Sequence, residues 1–247
     1  MPSYLLIDIS NSFTKIAKAT AQRLGNPIRV PTASLKVSSL QKLITPQTKV
    51  VLSSVVPAAT KKIVSAFPDD TIHVGPRHAA GLRIHYPQPS RIGADRLANA
   101  VACVGLHGYP AIVVDFGTAV TFDVISKDGA YVGGVIAPGL GVMAEYLHTR
   151  TALLPLIQVK RPKNVVGKST HEAMLSGAVH GYRGLVREIL IRIREEQFPR
   201  SKPLVIATGG DSGVLNESLS LFDLTDPLLT LRGLQLIANH RWAPQGS

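Results

Sequence analysis

An aspartate closes an apolar strand twice in this chain, in Leu5-Leu6-Ile7-Asp8 and again in Ile112-Val113-Val114-Asp115, 107 residues later. In each copy a few small or polar residues follow and then a second strand begins. Lys15 to Ala19 comes after Ser10-Asn11-Ser12, and Val120 to Ile125 comes after the turn Asp115-Phe116-Gly117-Thr118-Ala119. Apolar, β-branched runs broken by turn formers read as hairpins. Ile28 to Pro31 supplies a third strand in the first copy, and Tyr131 to Ile136, entered through Lys127-Asp128-Gly129, supplies one in the second. A duplication at this scale constrains the architecture before any other signal does. It predicts two similar α/β halves, 1-110 and 111-247, each opening with a meander.

That pattern is the one expected of an actin-like α/β fold with a ligand cleft between its halves. The rest of the chain fits such halves. Val50 to Val56 reads as a strand that runs into Pro57-Ala58-Ala59-Thr60, a helix start with proline in its first turn. Gly93 to His107 has helical spacing, with Leu97, Val101 and Val104 on one face and Gly108 as its stop. A helix opens at Gly139 after Pro138, and a long one runs from Ser169 to Glu196 behind a Ser-Thr cap with Glu172. Leu204 to Ala207 is a strand entering Thr208-Gly209-Gly210, and Leu229 to His240 is a final helix.

Composition narrows the class. Of 247 residues, 45% are apolar and 17% charged, which predicts a packed globular chain. No apolar run reaches the roughly 18 to 20 residues that cross a bilayer, so no membrane span is expected. MPSYLLIDIS lacks a basic start and carries Asp8, so it does not read as a signal peptide, and a cytoplasmic protein is expected. The single cysteine, Cys103, lies in an apolar run and reads as a small core residue. His73, His78 and His85 have no metal-ligand spacing. The net charge of +11 favours anionic partners. The basic residues nevertheless form no stripe with interleaved aromatics, so nucleic acid is not expected. Arg187 to Arg194 is interrupted by Glu188 and flanked by Glu195 and Glu196, as on a solvated helix face.

Three elements carry chemistry. Tight turns between strands offer backbone N–H groups to phosphate, and an aspartate beside them can hold a cation or its water. Two such hairpins in equivalent places suit a polyphosphate nucleotide. Thr208-Gly209-Gly210, directly after a strand, lets the backbone lie against an adenine or a ribose. Arg91-Ile92-Gly93-Ala94-Asp95-Arg96 opens a helix, whose N-terminus attracts anions. There Arg96 offers a forked donor to a carboxylate, and Asp95 is available as a base toward a hydroxyl. Asp95 in a first turn also serves the helix dipole, and an Asp-Arg pair can be a surface pair.

Together, Asp-x-x-Asn-Ser at 8 to 12, Gly-Ala-Asp-Arg at 93 to 96 and Asp-Phe-Gly-Thr-Ala at 115 to 119 resemble the type III pantothenate kinases. Gly-Gly-Val-Ile-Ala-Pro-Gly at 133 to 139, Ala-Leu-Leu-Pro at 152 to 155, Ala-Thr-Gly-Gly at 207 to 210 and Leu-Arg-Gly-Leu at 231 to 234 extend the resemblance over the whole chain. The resemblance implies ATP-dependent phosphorylation of pantothenate, the first step of coenzyme A biosynthesis, with Mg2+ on the ATP. It implies ATP contacts at Asp8, Ile9, Ser10, Asn11, Ser12, Phe13, Thr14 and Lys15, and further ones at Thr118, Gly209 and Gly210. It implies that Asp95 is the general base and that Tyr86, Gly93, Ala94, Arg96 and Thr170 line the pantothenate site with it. Asp115 corresponds to the ligand of a monovalent cation, K+ or NH4+, and a homodimer is implied.

The first hairpin departs from the family's usual Asp-x-Gly-Asn-Thr, with Ser10 for glycine and Ser12 for threonine. A left-handed backbone at that position would cost a serine roughly 1 to 2 kcal/mol, and its β-carbon would hold the phosphate off. Alternatively the Ser10 hydroxyl donates to a phosphate and the cost is small; of the two, weak ATP affinity is the expectation taken. Two other readings are open: a kinase-like accessory protein without turnover, and a nucleic-acid-associated protein suggested by the charge alone.

Overall fold

A computed structural model of the chain describes residues 3–67, 70–210 and 221–243. Two compact units emerge. The first contains the chain up to Tyr109, Lys127–Val132 and the segment from Leu228 onward; the second contains Pro110–Ser126 and Gly133–Pro227.

The first unit is built on β1 (Ser3–Ile9), β2 (Phe13–Ala19), β3 (Ile28–Pro31), β4 (Thr48–Ser54) and β5 (Ile72–His73), in sheet order β3-β2-β1-β4-β5. The meander β1-β2-β3 is antiparallel, and β4 then lies parallel to β1. Side chains alternate between sheet faces along β1. Leu5, Ile7 and Ile9 join a core with Leu40 of α1 (Val37–Gln41) and Ile63 of α2 (Pro57–Val64). Tyr4 and Leu6 join a second core with Ala98 and Val101 of α3 (Ala94–Ala102). Burial on both faces explains why β1 reads as a continuous apolar run instead of an alternating one.

The second sheet has the order β11-β10-β7-β8-β9-β6. It comprises β6 (Arg83–Ile84), β7 (Ala111–Phe116), β8 (Ala119–Ile125), β9 (Ala130–Pro138), β10 (Leu204–Gly209) and β11 (Leu224–Thr225). Leaving out the edge strand β6, its other five run β9-β8-β7-β10-β11, the order of the first sheet with each strand number raised by six. The duplication seen in the sequence is thus repeated in topology, including the parallel partner of each first strand. Two such sheets with helices are the actin-like arrangement. The second unit also carries α4 (Leu140–Arg150) and α5 (Thr170–Gln197), joined by a core of Ala144, Met174, Leu175 and Val179. Ser169 caps α5 by accepting from the Glu172 N–H at 3.2 Å, while Glu172 accepts from the Lys168 N–H at 2.7 Å. Arg192 pairs with Glu188 and Glu195 on the solvated face of α5.

Local differences from the sequence reading are small and have causes. The turn after Asp115 is shorter than expected, because β7 continues through Phe116 and only Gly117 and Thr118 lie outside the ladder. The helix from Gly93 ends at Ala102 and passes through a π-helical turn, Cys103–His107, before Gly108 at φ +91° stops it. Cys103 is fully buried, as a core residue should be.

The last helix, α6 (Leu229–Trp242), packs against α3 and β1 within the first unit. Thr230 Oγ1 donates to Asn99 Oδ1 at 2.8 Å, satisfying two buried side chains. A β-carbon on Gly233 would stand 1.9 Å from the Ala98 carbonyl oxygen. The helices therefore meet backbone to backbone, with no flexible side chain to yield. Gly233→Ala is expected to cost about 1 to 3 kcal/mol or more through overpacking. Chemical denaturation would register it, and an unchanged midpoint would contradict so close a helix contact.

Candidate active site

In the first unit the hairpin residues divide by exposure. Ile9 and Thr14 are buried, so their side chains are structural, whereas Asn11, Ser12 and Phe13 are exposed and Ser10 and Lys15 are partly so. Asp8 lies inside β1, opposite Lys15 on β2 and Ser53 on β4. Ser53 Oγ donates to Asp8 Oδ1 at 3.1 Å, which partners a carboxylate that is only 4% exposed. Thr32 braces the turn: its hydroxyl donates to the Ser10 carbonyl at 2.7 Å, lies 3.0 Å from the Thr14 hydroxyl, and its N–H donates to the Ser12 carbonyl at 3.0 Å. The Arg29 guanidinium sits 3.5 Å over the Phe13 ring.

On the same unit α3 rests on the sheet face that carries Asp8, packing through Ala98 and Val101 onto Leu6 and Val51. Its first turn presents Asp95 and Arg96, both half-buried. The Arg96 N–H donates to Asp95 Oδ1 at 2.8 Å. A β-carbon on Gly93 would stand 2.6 Å from that same oxygen, so glycine is what leaves the carboxylate room. The Arg96 guanidinium carbon lies 5.8 Å from the centre of the buried Tyr131 ring, and Tyr86 meets Tyr131 edge-on at 6.2 Å. Tyr86, itself 38% exposed, thus joins Arg96 and Asp95 through Tyr131. The link is made by β6 pairing with β9, where the His85 N–H donates to the Tyr131 carbonyl at 2.8 Å.

In the second unit three elements converge. Asp115 lies opposite Thr121 on β8 and Thr208 on β10, and Gly209 lies opposite Phe116. Gly209 has φ +93°, and a β-carbon there would stand 2.3 Å from the Phe116 carbonyl oxygen and 2.6 Å from Asp115 Oδ1. The Thr-Gly-Gly turn is therefore pressed onto the second hairpin. From the other side the Gly139 N–H donates to the Thr118 carbonyl at 2.9 Å, and a β-carbon on Gly139 would stand 2.1 Å from the Gly117 carbonyl oxygen. α4 thus opens beside the exposed Thr118, with the free N–H groups of its first turn near the hairpin. Thr170 is exposed at the start of α5, on another part of this unit. Beside it is a cavity of about 380 Å³ lined by Lys160, Arg161, Lys163, His171 and Glu172. A larger cavity, about 440 Å³, lies in the first unit between Val101, Val104 and Leu236, against the far end of α3 from Asp95.

The sequence profile of the type III pantothenate kinases matches residues 4–192. The chain belongs to this family. A type III pantothenate kinase of Methylacidiphilum infernorum (isolate V4) is 45% identical over 235 residues, covering 94% of this chain and 87% of that one. One from Akkermansia muciniphila is 45% identical over 239 residues, covering 96% and 98%. Among solved structures, an archaeal actin homolog superimposes with a TM-score of 0.53 at 12% identity, over 97% of this chain and 99% of that one. At that identity the likeness concerns the fold alone, and it agrees with the repeated sheet order. Membership in a kinase family brings ATP with a divalent metal ion.

The sequence left the parts played by Ser53, Thr32 and Tyr131 unremarked and read Thr208 only as the first residue of the Thr-Gly-Gly turn; its place opposite Asp115 comes from strand pairing and not from a motif. The left-handed backbone on which a penalty at Ser10 depended is absent. Among the described residues only Ala80 combines a side chain with positive φ. Gly117, the second-copy residue at this hairpin position, is likewise free of positive φ, and a β-carbon on it would meet nothing closer than 3.5 Å. The left-handed requirement behind the expected penalty does not exist in this chain. Ser10→Gly is therefore expected to lose about 0.5 to 1 kcal/mol, because glycine adds unfolded-state entropy and relieves nothing. Urea denaturation would check this, and a stabilised variant would restore the strain explanation.

Proposed function

We propose that this chain phosphorylates pantothenate with ATP, giving 4′-phosphopantothenate and ADP at the entry to coenzyme A biosynthesis. The observation that carries this reading is the first turn of α3. Asp95 is held there by the Arg96 N–H at 2.8 Å, with Gly93 leaving it space and Arg96 set against Tyr131. In this reading Asp95 accepts the proton of the primary hydroxyl of pantothenate. The hydroxyl oxygen attacks the γ-phosphorus, and the bond to the oxygen bridging the β- and γ-phosphates breaks, leaving ADP. Arg96 meets the carboxylate of pantothenate, and Tyr86, Gly93, Ala94 and Thr170 help to line its site. Phosphoryl transfer asks little more of a protein than in-line positioning and charge neutralisation.

ATP is assigned to the hairpin Asp8 to Lys15, to Thr118 and to Gly209 and Gly210. The geometry supports the last three as neighbours, since Gly209 and Gly139 both press on the second hairpin. Mg2+ accompanies the phosphates, and the net charge of +11 attracts both anionic substrates. The monovalent cation is assigned to Asp115. The residues around Asp115 fit such an ion: Asp115 stands opposite Thr208 in the strand register, and the buried Thr208 hydroxyl has no hydrogen-bond partner. When bound, the ion would offset the negative charge of the polyphosphate.

A homodimer is part of the reading. The second unit exposes Tyr146, Leu153, Leu156, Val165 and Val166, each more than half accessible, an apolar surface of the kind partners cover. No helix among the described residues is long and apolar enough to cross a membrane, and the substrates are those of a cytoplasmic enzyme.

The deciding experiment is ADP release coupled to pantothenate, with and without K+ or NH4+. Turnover that requires pantothenate is expected; none under any of these conditions would leave a kinase-like accessory protein. Asp95→Asn is expected to keep its fold and ATP binding while losing on the order of 10² to 10⁴ in turnover. Near wild-type turnover in that variant would remove Asp95 as the base.

A further inference from the structure

The duplication sets two aspartates against two hydroxyls, and the two copies treat them differently. β1 and β7 are equivalent first strands, and β4 and β10 are their equivalent parallel neighbours. In the first unit Asp8 stands opposite Ser53, and in the second Asp115 stands opposite Thr208. Residues opposite one another on neighbouring strands share a sheet face, about 4.8 Å apart. In the first copy the pair is closed: Ser53 Oγ donates to Asp8 Oδ1 at 3.1 Å, and both side chains are buried. In the second copy Asp115 is half-exposed, and Thr208 is 1% exposed with a hydroxyl that bonds to nothing.

A buried hydroxyl without a partner is costly, on the order of 1 to 3 kcal/mol, so such a group marks a missing neighbour. The surroundings say what kind. Thr121, opposite Asp115, and the fully buried Asp123, opposite Val113, project from the same face as Asp115 and Thr208. The opposite face of β7 is apolar, with Phe116 against Tyr182 and Phe222. One face of the second sheet thus gathers carboxylate and hydroxyl oxygens with no basic side chain in the register beside them. Oxygen donors of this kind suit a hard cation, to which a hydroxyl gives its lone pairs. Gly209, held against Asp115 Oδ1, limits where that carboxylate can turn.

We infer that Thr208 is a ligand of the monovalent cation, which it shares with Asp115. The inference rests on the assignment of that cation to Asp115 in the proposed function. It also accounts for the difference between the copies: in the first, Ser53 and Asp8 satisfy each other and leave no orphaned hydroxyl beside the aspartate.

The test compares wild type, Thr208→Val and Thr208→Ser as K+ replaces choline at constant ionic strength, read by thermal unfolding and by pantothenate-dependent ADP release. Valine keeps the volume and removes the oxygen; serine keeps the oxygen. Wild type is expected to gain thermal stability with K+. In Thr208→Val the K+ midpoint should rise at least about tenfold in both readouts, with the serine variant near wild type. A Thr208→Val midpoint equal to wild type overturns the inference, and so does a wild type that K+ does not stabilise relative to choline. Should Thr208→Val fail to fold, the serine variant decides: a K+ midpoint near wild type supports the inference, and a tenfold rise overturns it. Failure of the functional reading looks different. A wild type stabilised by K+ through Thr208 but inert toward pantothenate would sink the substrate assignment and keep the cation site.

Discussion

The parallel ladder between the first strand of each unit and the strand that returns to it carries the rest of the structure. β1–β4 and β7–β10 are the pairings that bring distant parts of the chain together, and each sets an aspartate beside a hydroxyl. The antiparallel hairpins on the other flank are local and follow from their turns. Parallel pairing does not: it needs a long crossover and fixes register through burial on both faces. Slipping β10 by one residue would turn Thr208 away from Asp115 and put an apolar neighbour in its place. The positions of Thr208 and Gly209 around Asp115 are therefore consequences of core packing in β10, whose Val205, Ile206 and Ala207 are fully buried.

Much of this was legible in the residues. The repeat at Asp8 and Asp115, the meander of three strands, the Ser169–Glu172 cap and the last helix all rest on short-range signals, and all lie where the sequence puts them. Recognition of the family came from motifs that are likewise local. What could not be read was long-range. Tyr86 reaches Tyr131 through a two-residue strand, β6, too short to leave a pattern. Thr208 faces Asp115 across 93 residues of chain. The close approach of Gly233 to Ala98 depends on how two helices cross, which neither sequence states. The question at Ser10 was of another kind: whether a glycine in a family motif stands there for its backbone freedom depends on the turn's φ, and this turn demands no positive φ.

Chemically, the two units contribute unlike things. In the proposed reading the first carries the base, Asp95, beside Arg96 on α3, with Tyr131 of β9 and Tyr86 next to them. The second carries the closely packed turns around Asp115, where glycines remove side chains so that backbone atoms can approach. An oriented base on one element and a dense array of N–H groups and oxygens on others is a division of labour well suited to phosphoryl transfer, in which positioning and charge neutralisation supply most of the rate.

Gly209 is the wall between two neighbours. On one side any side chain there would strike the Phe116 backbone and the Asp115 carboxylate, and its own turn is the one assigned to ATP in the proposed function. A group so tightly confined cannot shift for one ligand without being felt by the other. If nucleotide and cation bind where proposed, on either side of it, their affinities form a single thermodynamic cycle. Whatever factor the ion contributes to nucleotide binding, the nucleotide must return to the ion.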